Sequence, residues 1–300
     1  MSSSAPALPA PARGGRVVLA LLLVYVVWGS TYLGIHLALE GGMPPLSVIA
    51  GVRFVIAGAL LYAVLRWRGV AAPTRRQWPT LAVMGTCLLL LGNGMVVLAE
   101  RDVSSGMAAV ALASVPLWMA LFSAFRGERV AGGEWLGIAV GFAGVLWLNA
   151  GSSLTATPTG LVLLLVAPLG WAAGSIWSRG RDLPSPLMAA AGQMLCGGVV
   201  LVAAGLLRGE RFTAPPTLQG LLAVGYLSLF GSIVGFTAYV WLLQNVRPVL
   251  ASSYAYVNPV IAVALGVWIA HERFSAADLG AMAVILAGVV VITLARRRRA

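Results

Sequence analysis

Ten long apolar stretches fill most of the 300-residue sequence. An α-helix needs roughly 20 mostly apolar residues to cross the ~30 Å hydrocarbon core of a bilayer. Of this chain, 60% is hydrophobic and 10% is charged, whereas soluble domains carry about 25% charged residues. The pattern predicts an all-α integral membrane protein with ten transmembrane helices, at 17–38, 46–65, 79–98, 104–125, 133–149, 160–177, 186–207, 217–242, 248–270 and 276–295.

The distribution of arginine predicts how these helices are oriented. All 20 basic residues are arginine, and fifteen of them fall in the termini and connections that share one side of a ten-helix arrangement. Four fall on the other side, and Arg53 lies within a span. The positive-inside rule therefore places both termini in the cytoplasm. The same asymmetry explains the net charge of +11 without a nucleic-acid partner, and the final run Arg296 to Arg299 also suits anionic lipid.

The two halves of the chain share a sequence pattern. Aligning the segment from Val103 with the segment from Val246 places Pro116 on Pro259, at an offset of 143 residues. Matches at an offset of 143 or 141 also occur at Trp28 and Trp171, Gly92 and Gly235, Pro45 and Pro186, and Gly51 and Gly192. We predict a duplicated five-helix unit, with repeats at 17–149 and 160–295, an N-terminal tail at 1–16 and a basic tail at 296–300.

An odd number of helices in each repeat has a topological consequence. The second copy must cross the membrane in the opposite sense to the first, so the repeats are predicted to be inverted. Inverted repeats are common in secondary transporters, where one repeat rocks against the other around a site near the membrane midplane. A channel or a membrane enzyme does not need this arrangement.

Short motifs along the chain resemble those of one carrier family. They are "WGSTYLG" in the first stretch, "RF" in the second, "GNGM" in the third, "SVPLWMALFSAF" and "GERV" around the fourth, and "YAYVNPVIAVALG" in the ninth. With the five-plus-five arrangement they resemble the EamA-type drug/metabolite transporter superfamily, and within it bacterial inner-membrane exporters of the YddG and YedA type. The resemblance implies a cavity between helices one to four and six to nine, with helices five and ten set aside. It also implies export of amino acids, aromatic ones among them.

Polar and aromatic side chains within the spans are the candidate substrate-binding residues. An amide deep in an apolar run must bond to another helix, to water or to substrate, and these alternatives stay open. Trp28 and Trp171 occupy equivalent positions in the two repeats and either line the cavity or pack in the core. The candidates are Trp28, Asn93, Trp171, Gln193, Tyr256, Asn258 and Arg53.

Two prolines at equivalent positions are candidate hinges. Pro116 and Pro259 each remove a backbone donor, and each is expected to kink its helix near the middle. A bend with free carbonyl groups suits both a hinge and a binding site. A kink needed only for packing is the alternative.

Arg53 allows several interpretations. It lies about eight residues from Pro45, which is roughly 12 Å along a helix. Its side chain can snorkel toward the interface, pair with Glu40 or with carbonyl groups at helix ends, or hold a substrate carboxylate through a bidentate contact. Structural pairing and substrate binding both stay open.

The motifs that are missing also narrow the function. The sequence has no P-loop, no catalytic motif and no His, Cys or carboxylate cluster with metal spacing, so we expect neither an enzyme nor a metal or cofactor. Glu40, Glu100 and Glu272 lie near predicted helix ends. Small multidrug-resistance exporters of the same superfamily use a glutamate in their first helix, which is absent here, so cationic drug antiport is disfavoured. His36 or a helix-end carboxylate remains for proton coupling.

The sequence therefore predicts a carrier of the bacterial inner membrane that exports amino acids or related metabolites by alternating access. Transport is expected to be facilitated or weakly proton-coupled. The expected partners are a small-molecule substrate and the lipid bilayer, and a monomer is compatible with this function. A multidrug or sugar-metabolite exporter is one alternative, and a membrane scaffold or sensor without transport is another.

Overall fold

A computed structural model describes residues 14–127, 132–151, 157–245, 254–271 and 275–297. The described chain is helical, and it contains no β-strand. A helix lies over each of the predicted apolar stretches. In chain order these are α1 Gly14–Glu40, α2 Pro45–Trp67, α3 Trp78–Ala99, α4 Ser105–Phe125, α5 Gly132–Gly151, α6 Pro158–Ser178, α7 Pro186–Leu207, α8 218–245, α9 Tyr254–Ile269 and α10 Ala276–Arg297.

The described helices have the length and surface of membrane spans. Seven of them, α1 to α4 and α6 to α8, are long and apolar enough to cross a membrane. Large apolar side chains such as Leu22, Leu60 and Val199 are exposed, where a soluble protein would avoid a continuous apolar surface. Shorter apolar segments lie in α5, α9 and α10, at Trp135–Gly144, Val257–Ile269 and Leu279–Gly288. The predicted membrane class is confirmed.

Three helices contain π-helical segments, which the apolar pattern did not predict. They are Pro45–Val52 in α2, Thr86–Gly94 in α3 and Leu227–Val234 in α8. In such a segment an amide bonds to the carbonyl group five residues back, as Ile49 does with Pro44 at 3.0 Å. The third helix of each half, α3 or α8, contains a π-helical segment. A π-helical turn changes the direction of the side chains that follow and is frequent at functional sites.

The two predicted hinge prolines have different surroundings. α4 is interrupted at residues 113 and 114, and Pro116 lies in the first turn of the segment Val115–Phe125. There no helical hydrogen bond needs its missing N–H, so Pro116 is not a mid-helix proline as expected. Pro259 does lie within a continuous helix, and α6 has a further internal proline at Pro168. A shared hinge role for Pro116 and Pro259 stays a prediction.

Helices α2 and α7 pack side by side and run in opposite directions. A Cβ atom on Gly58 would lie 2.9 Å from the amide nitrogen of Leu195, and one on Gly51 would lie 2.8 Å from that of Val202. Contacts therefore move to lower numbers on α2 as they move to higher numbers on α7. Only small residues permit such a close backbone approach between helices.

Helices α5 and α10 form a second antiparallel pair with extensive contact. A Cβ atom on Gly144 would lie 2.8 Å from the amide nitrogen of Ile285. One on Gly288 would lie 2.5 Å from the amide nitrogen of Gly141. Their small residues lie in this contact, so the pair forms a scaffold beside the other helices.

Candidate functional site

Arg53 lies in the interior with two polar partners. Only 4% of its surface is exposed, and 3% of that of Glu100. The Arg53 Nη2 atom donates a hydrogen bond to Asn93 Oδ1 at 3.4 Å, and the guanidinium group interacts electrostatically with Glu100. The Arg53 Nε atom is buried and has no hydrogen-bond partner among the described residues. A buried charge of this kind inside a membrane protein indicates a functional site.

The local structure explains how these three side chains meet. Arg53 is the first residue after the π-helical segment of α2, and Asn93 lies within that of α3. Glu100 directly follows α3, and its amide donates to the Val96 carbonyl group at 2.9 Å. The turn folds inward at this point, so Glu100 and Val103 are buried while Arg101 remains exposed.

Two glutamates at predicted helix ends have different surroundings. Glu100 lies at the end of α3 as predicted, and it is buried beside Arg53 because the turn after α3 packs into the bundle. Glu40 was a possible partner of Arg53. Its carboxylate instead lies 3.5 Å from His36 Nε2 and accepts a hydrogen bond from Gln219 at 3.4 Å.

Trp28 lies in a cluster of aromatic rings contributed by α8 and α9. Its ring centroid lies 5.4 Å from that of Phe236, 5.1 Å from that of Tyr239 and 4.9 Å from that of Tyr254. The indole Nε1–H donates to the Gly231 carbonyl group at 3.1 Å, within the π-helical segment of α8. Edge-on ring contacts of this kind stabilise a packed but adaptable aromatic surface.

Tyr32 connects the aromatic cluster to the charged residues. It lies one helical turn after Trp28 on the same face of α1. Tyr32 lies beside Glu100 on one side and beside Tyr254 on the other, and Tyr254 shares a hydrogen bond with Tyr239. We call this continuous set the interior strip. Its members are Arg53, Asn93, Glu100, Tyr32, Trp28, Tyr239 and Tyr254.

The remaining candidates lie around the interior strip. Trp171 packs on Gly92, the neighbour of Asn93, so that a Cβ atom there would lie 3.0 Å from the Trp171 Cε3 atom. Asn258 faces α1 at Gly29, next to Trp28. Gln193 lies where α7 meets Gly85 of α3. Both Gln193 Oε1 and Asn258 Oδ1 are buried without a hydrogen-bond partner in the part of the chain described, and the side chain of Tyr256 lies outside the described residues.

Four members of the interior strip were not among the predicted substrate-binding residues: Glu100, Tyr32, Tyr239 and Tyr254. Glu100 had been named only as a helix-end carboxylate that could couple to protons. Tyr32 had a detectable signal, because it lies four residues after Trp28 on the same helical face. Glu100 had a weaker one, because it is the first charged residue after an apolar stretch. Nothing in the sequence indicates that the turn carrying Glu100 is buried. No group of three potential metal ligands occurs within the described ranges.

A bundle with an apolar exposed surface and a buried strip of charged and aromatic groups between its helices has the architecture of a membrane transporter. Comparison with known proteins identifies the family. The chain belongs to the EamA-like transporter family, whose model matches twice, at residues 15–150 and 158–294. The duplication and the family resemblance inferred from the sequence are confirmed.

Relatives agree with this assignment. Over 278 residues the chain is 47% identical to the uncharacterized inner membrane transporter YedA of Escherichia coli (strain K12), covering 92% of this chain and 90% of that protein. It is 27% identical over 296 residues to a "Probable terminal-alkyne amino-acid exporter" of Streptantibioticus cattleyicolor, covering 95% and 97%. A solved crystal structure, 24% identical, matches 96% of this chain and 100% of that chain with a TM-score of 0.67. The protein is a multi-pass transporter of the inner membrane.

Proposed function

We propose that this transporter is a secondary carrier that exports amino acids or related small metabolites, with the interior strip as its binding site. The observation that carries the proposal is the burial of Arg53 and Glu100, which interact electrostatically, next to an aromatic cluster. An amino acid has a carboxylate and an ammonium group a few bonds apart. A guanidinium and a carboxylate in one buried site match both groups.

The energetics favour a zwitterionic substrate. Removing one partner of a buried ion pair is strongly destabilising, because the other charge stays buried. In a bound zwitterion, the ammonium group can take the place of Arg53 beside Glu100, and the carboxylate can take the place of Glu100 beside Arg53. The net charge of the site therefore does not change. A purely cationic or anionic molecule would leave one excess charge in the interior. The rings of Trp28, Tyr239 and Tyr254 are then available for an apolar or aromatic substrate side chain.

Alternating access in this proposal depends on inverted repeats, ten membrane crossings and cytoplasmic termini. If equivalent helices pack across a two-fold axis that lies in the membrane plane, they must be antiparallel. The antiparallel packing of α2 on α7 and of α5 on α10 supports this geometry. Gly144 contacts Ile285, and Gly288 contacts Gly141. Gly144 is equivalent to Gly288 and Gly141 to Ile285, at an offset of 144 residues, so the two contacts are equivalent.

Two further hydrogen bonds between the repeats support a rocking motion. Gln77 Nε2 donates to Asp182 Oδ1 at 2.9 Å, and Gln219 Nε2 donates to Glu40 Oε2 at 3.4 Å. The two glutamines are equivalent, as are the two acids, at an offset of 142. In the inverted arrangement these ties lie at opposite ends of the bundle. We propose that they act as latches, one closing each face.

Coupling to protons, where it occurs, is assigned to Glu100 rather than to His36. A buried carboxylate within a transporter bundle is the usual form of a proton-relay group, whereas His36 is only partly buried. The named amino-acid exporter among the relatives supports the substrate class. A multidrug or sugar-metabolite exporter gains no comparable support, since neither substrate class needs a paired cation and anion. A scaffold or sensor without transport leaves the symmetric latches without a role.

The test is uptake of radiolabelled amino acids into liposomes that contain the purified protein, with and without a pH gradient. Saturable uptake of neutral amino acids without a gradient is expected for a facilitator, and stimulation by the gradient that is lost in Glu100→Gln is expected for coupling. Failure to take up any amino acid would reject the substrate class. Drugs and sugars would then be tested on the same vesicles.

Arg53→Lys separates substrate binding from structural pairing. Lysine keeps the positive charge beside Glu100 but cannot form a planar bidentate contact with a carboxylate. If Arg53 holds the substrate, the half-saturation concentration for amino acids should rise about tenfold while thermal stability changes little. Unchanged transport kinetics would show that Arg53 has only a structural role.

A further inference from the structure

A second polar feature lies at one end of the bundle, away from the interior strip. A cavity of about 440 Å³ opens there between α4 and α6. Its walls include the apolar side chains of Phe122 and Ile176, and three arginines border it: Arg126, Arg179 and Arg181. This end also carries the Gln77 latch and is the predicted cytoplasmic end.

Two of the arginines are held in place by the protein. Arg126 Nη1 donates to the Ile176 carbonyl group. Arg181 Nε donates to the Trp177 carbonyl group at 3.1 Å, and its Cζ atom lies 3.6 Å from the centroid of the Trp177 ring. Exposed arginines normally move freely in water, and fixing such a side chain costs rotamer entropy. Here the fixed guanidinium groups retain further N–H donors for a ligand.

The described lining of the cavity offers no carboxylate to Arg126 or Arg181. None of the described residues that line it is acidic, and the nearby carboxylate of Asp182 accepts its hydrogen bond from Gln77. The like charges of Arg126 and Arg181 at one opening repel each other, and an anion that lies between them relieves this repulsion. Guanidinium groups are also well shaped to bind the oxygens of phosphate and carboxylate.

We propose that this cavity is an oxyanion-binding site, distinct from the interior strip. Arg126 and Arg181 contact the anion, and an attached apolar group lies against Phe122 and Ile176. The anion is a phosphate or carboxylate group, and its source is either a lipid headgroup at the membrane surface or a free small molecule. The site does not depend on the identity of the transported substrate.

The experiment uses the full-length protein in nanodiscs of neutral phosphatidylcholine. Inorganic phosphate and soluble dihexanoyl phosphatidylglycerol are titrated separately, with dihexanoyl phosphatidylcholine as the neutral control, and binding is measured by calorimetry. The variant R126Q/R181Q should lose about tenfold in affinity for an anionic probe. The matched variant R75Q/R76Q removes two exposed arginines outside the cavity, and it should change affinity less than about twofold.

The two probes also identify the source of the anion. If phosphate and phosphatidylglycerol both bind and both weaken in R126Q/R181Q, a free oxyanion is sufficient. If only phosphatidylglycerol binds, and binds more weakly to R126Q/R181Q, the ligand is a lipid headgroup. The proposal is overturned if neither probe binds the unmodified protein, if the neutral lipid binds equally well, or if both double variants lose affinity equally. Equal melting temperatures of the two variants verify that both are folded.

Discussion

The two repeats share equivalent backbone contacts, but they differ in the side chains of the interior. Trp28 packs on Gly235, and at an offset of 143 Trp171 packs on Gly92, so one contact occurs twice with the repeats exchanged. The chemistry is not duplicated. The positions equivalent to Arg53 and Asn93 in the second repeat are Met194 and Phe236, both buried.

The surroundings of the two tryptophans differ in the same way. Trp28 is surrounded by the rings of Phe236, Tyr239 and Tyr254. The residues at equivalent positions on the Trp171 side are Asn93, Val96 and Ala111. A symmetric backbone suits a motion with two equivalent end states, whereas one asymmetric substrate needs a single set of charged and aromatic groups. In the proposed carrier, the repeats thus share the mechanical framework, and substrate is recognised by one asymmetric set of side chains.

The largest effect is expected when Arg53 of the first repeat is replaced by methionine, the residue at the equivalent position of the second repeat, Met194. Arg53→Met removes the positive charge beside Glu100 in the interior. It should lower the free energy of unfolding by about 3–5 kcal/mol and abolish transport. Thermal unfolding in detergent and uptake into liposomes measure the two effects.

A double variant provides the control for Arg53→Met. Glu100→Leu also installs the residue found at the equivalent position of the second repeat, Leu243. R53M/E100L should recover most of the lost stability, because an apolar replacement of two buried, interacting charges is often neutral or stabilising. It should not recover transport. Normal transport by the double variant would contradict the assigned role of the pair.

A smaller difference is expected when a methyl group is added at the two equivalent glycines. In Gly235→Ala the new Cβ atom would lie 2.7 Å from Trp28 Cδ1, and it would press on an indole fixed by its bond to Gly231. In Gly92→Ala it would lie 3.0 Å from Trp171 Cε3. Overpacking should cost about 2 kcal/mol at Gly235 and about 1 kcal/mol at Gly92. Equal melting temperatures would show that the two tryptophan sites are equally rigid.

The smallest effects are expected at the two latches. Gln77 is buried and its bond to Asp182 measures 2.9 Å, whereas the bond from Gln219 to Glu40 measures 3.4 Å at the surface. Gln77→Ala should therefore cost about 1 kcal/mol, and Gln219→Ala less than about 0.5 kcal/mol. Thermal unfolding of the two variants tests this order, and a larger loss for Gln219→Ala would reverse it.

The sequence predicted those features that depend on one residue type or on a repeated spacing. Long apolar stretches indicated the membrane class, and matching positions such as Trp28 and Trp171 indicated the duplication. Arg53 was identified because a charge within an apolar stretch is rare. Its partner Asn93 was also among the candidates, since an amide at that depth needs a hydrogen bond.

Other features depend on packing and could not be read from one sequence. The π-helical segments change which carbonyl group each amide selects, and the apolar pattern does not record that choice. Glu100 follows a stretch whose length suggests a helix end at the surface, and only the folded turn shows it to be buried. Pro116 looked like a mid-helix proline because the break at residues 113 and 114 lies within a continuous apolar run.

The central claim is that one buried site recognises both charges of an amino acid. Competition against uptake of radiolabelled phenylalanine tests it most directly, with unlabelled phenylalanine, phenethylamine and 3-phenylpropionate as competitors. These share one ring and carry both charges, only the cation and only the anion, respectively. The account predicts strong inhibition by phenylalanine and at least tenfold weaker inhibition by either analogue. Inhibition by an analogue equal to that of phenylalanine would contradict joint recognition by Arg53 and Glu100.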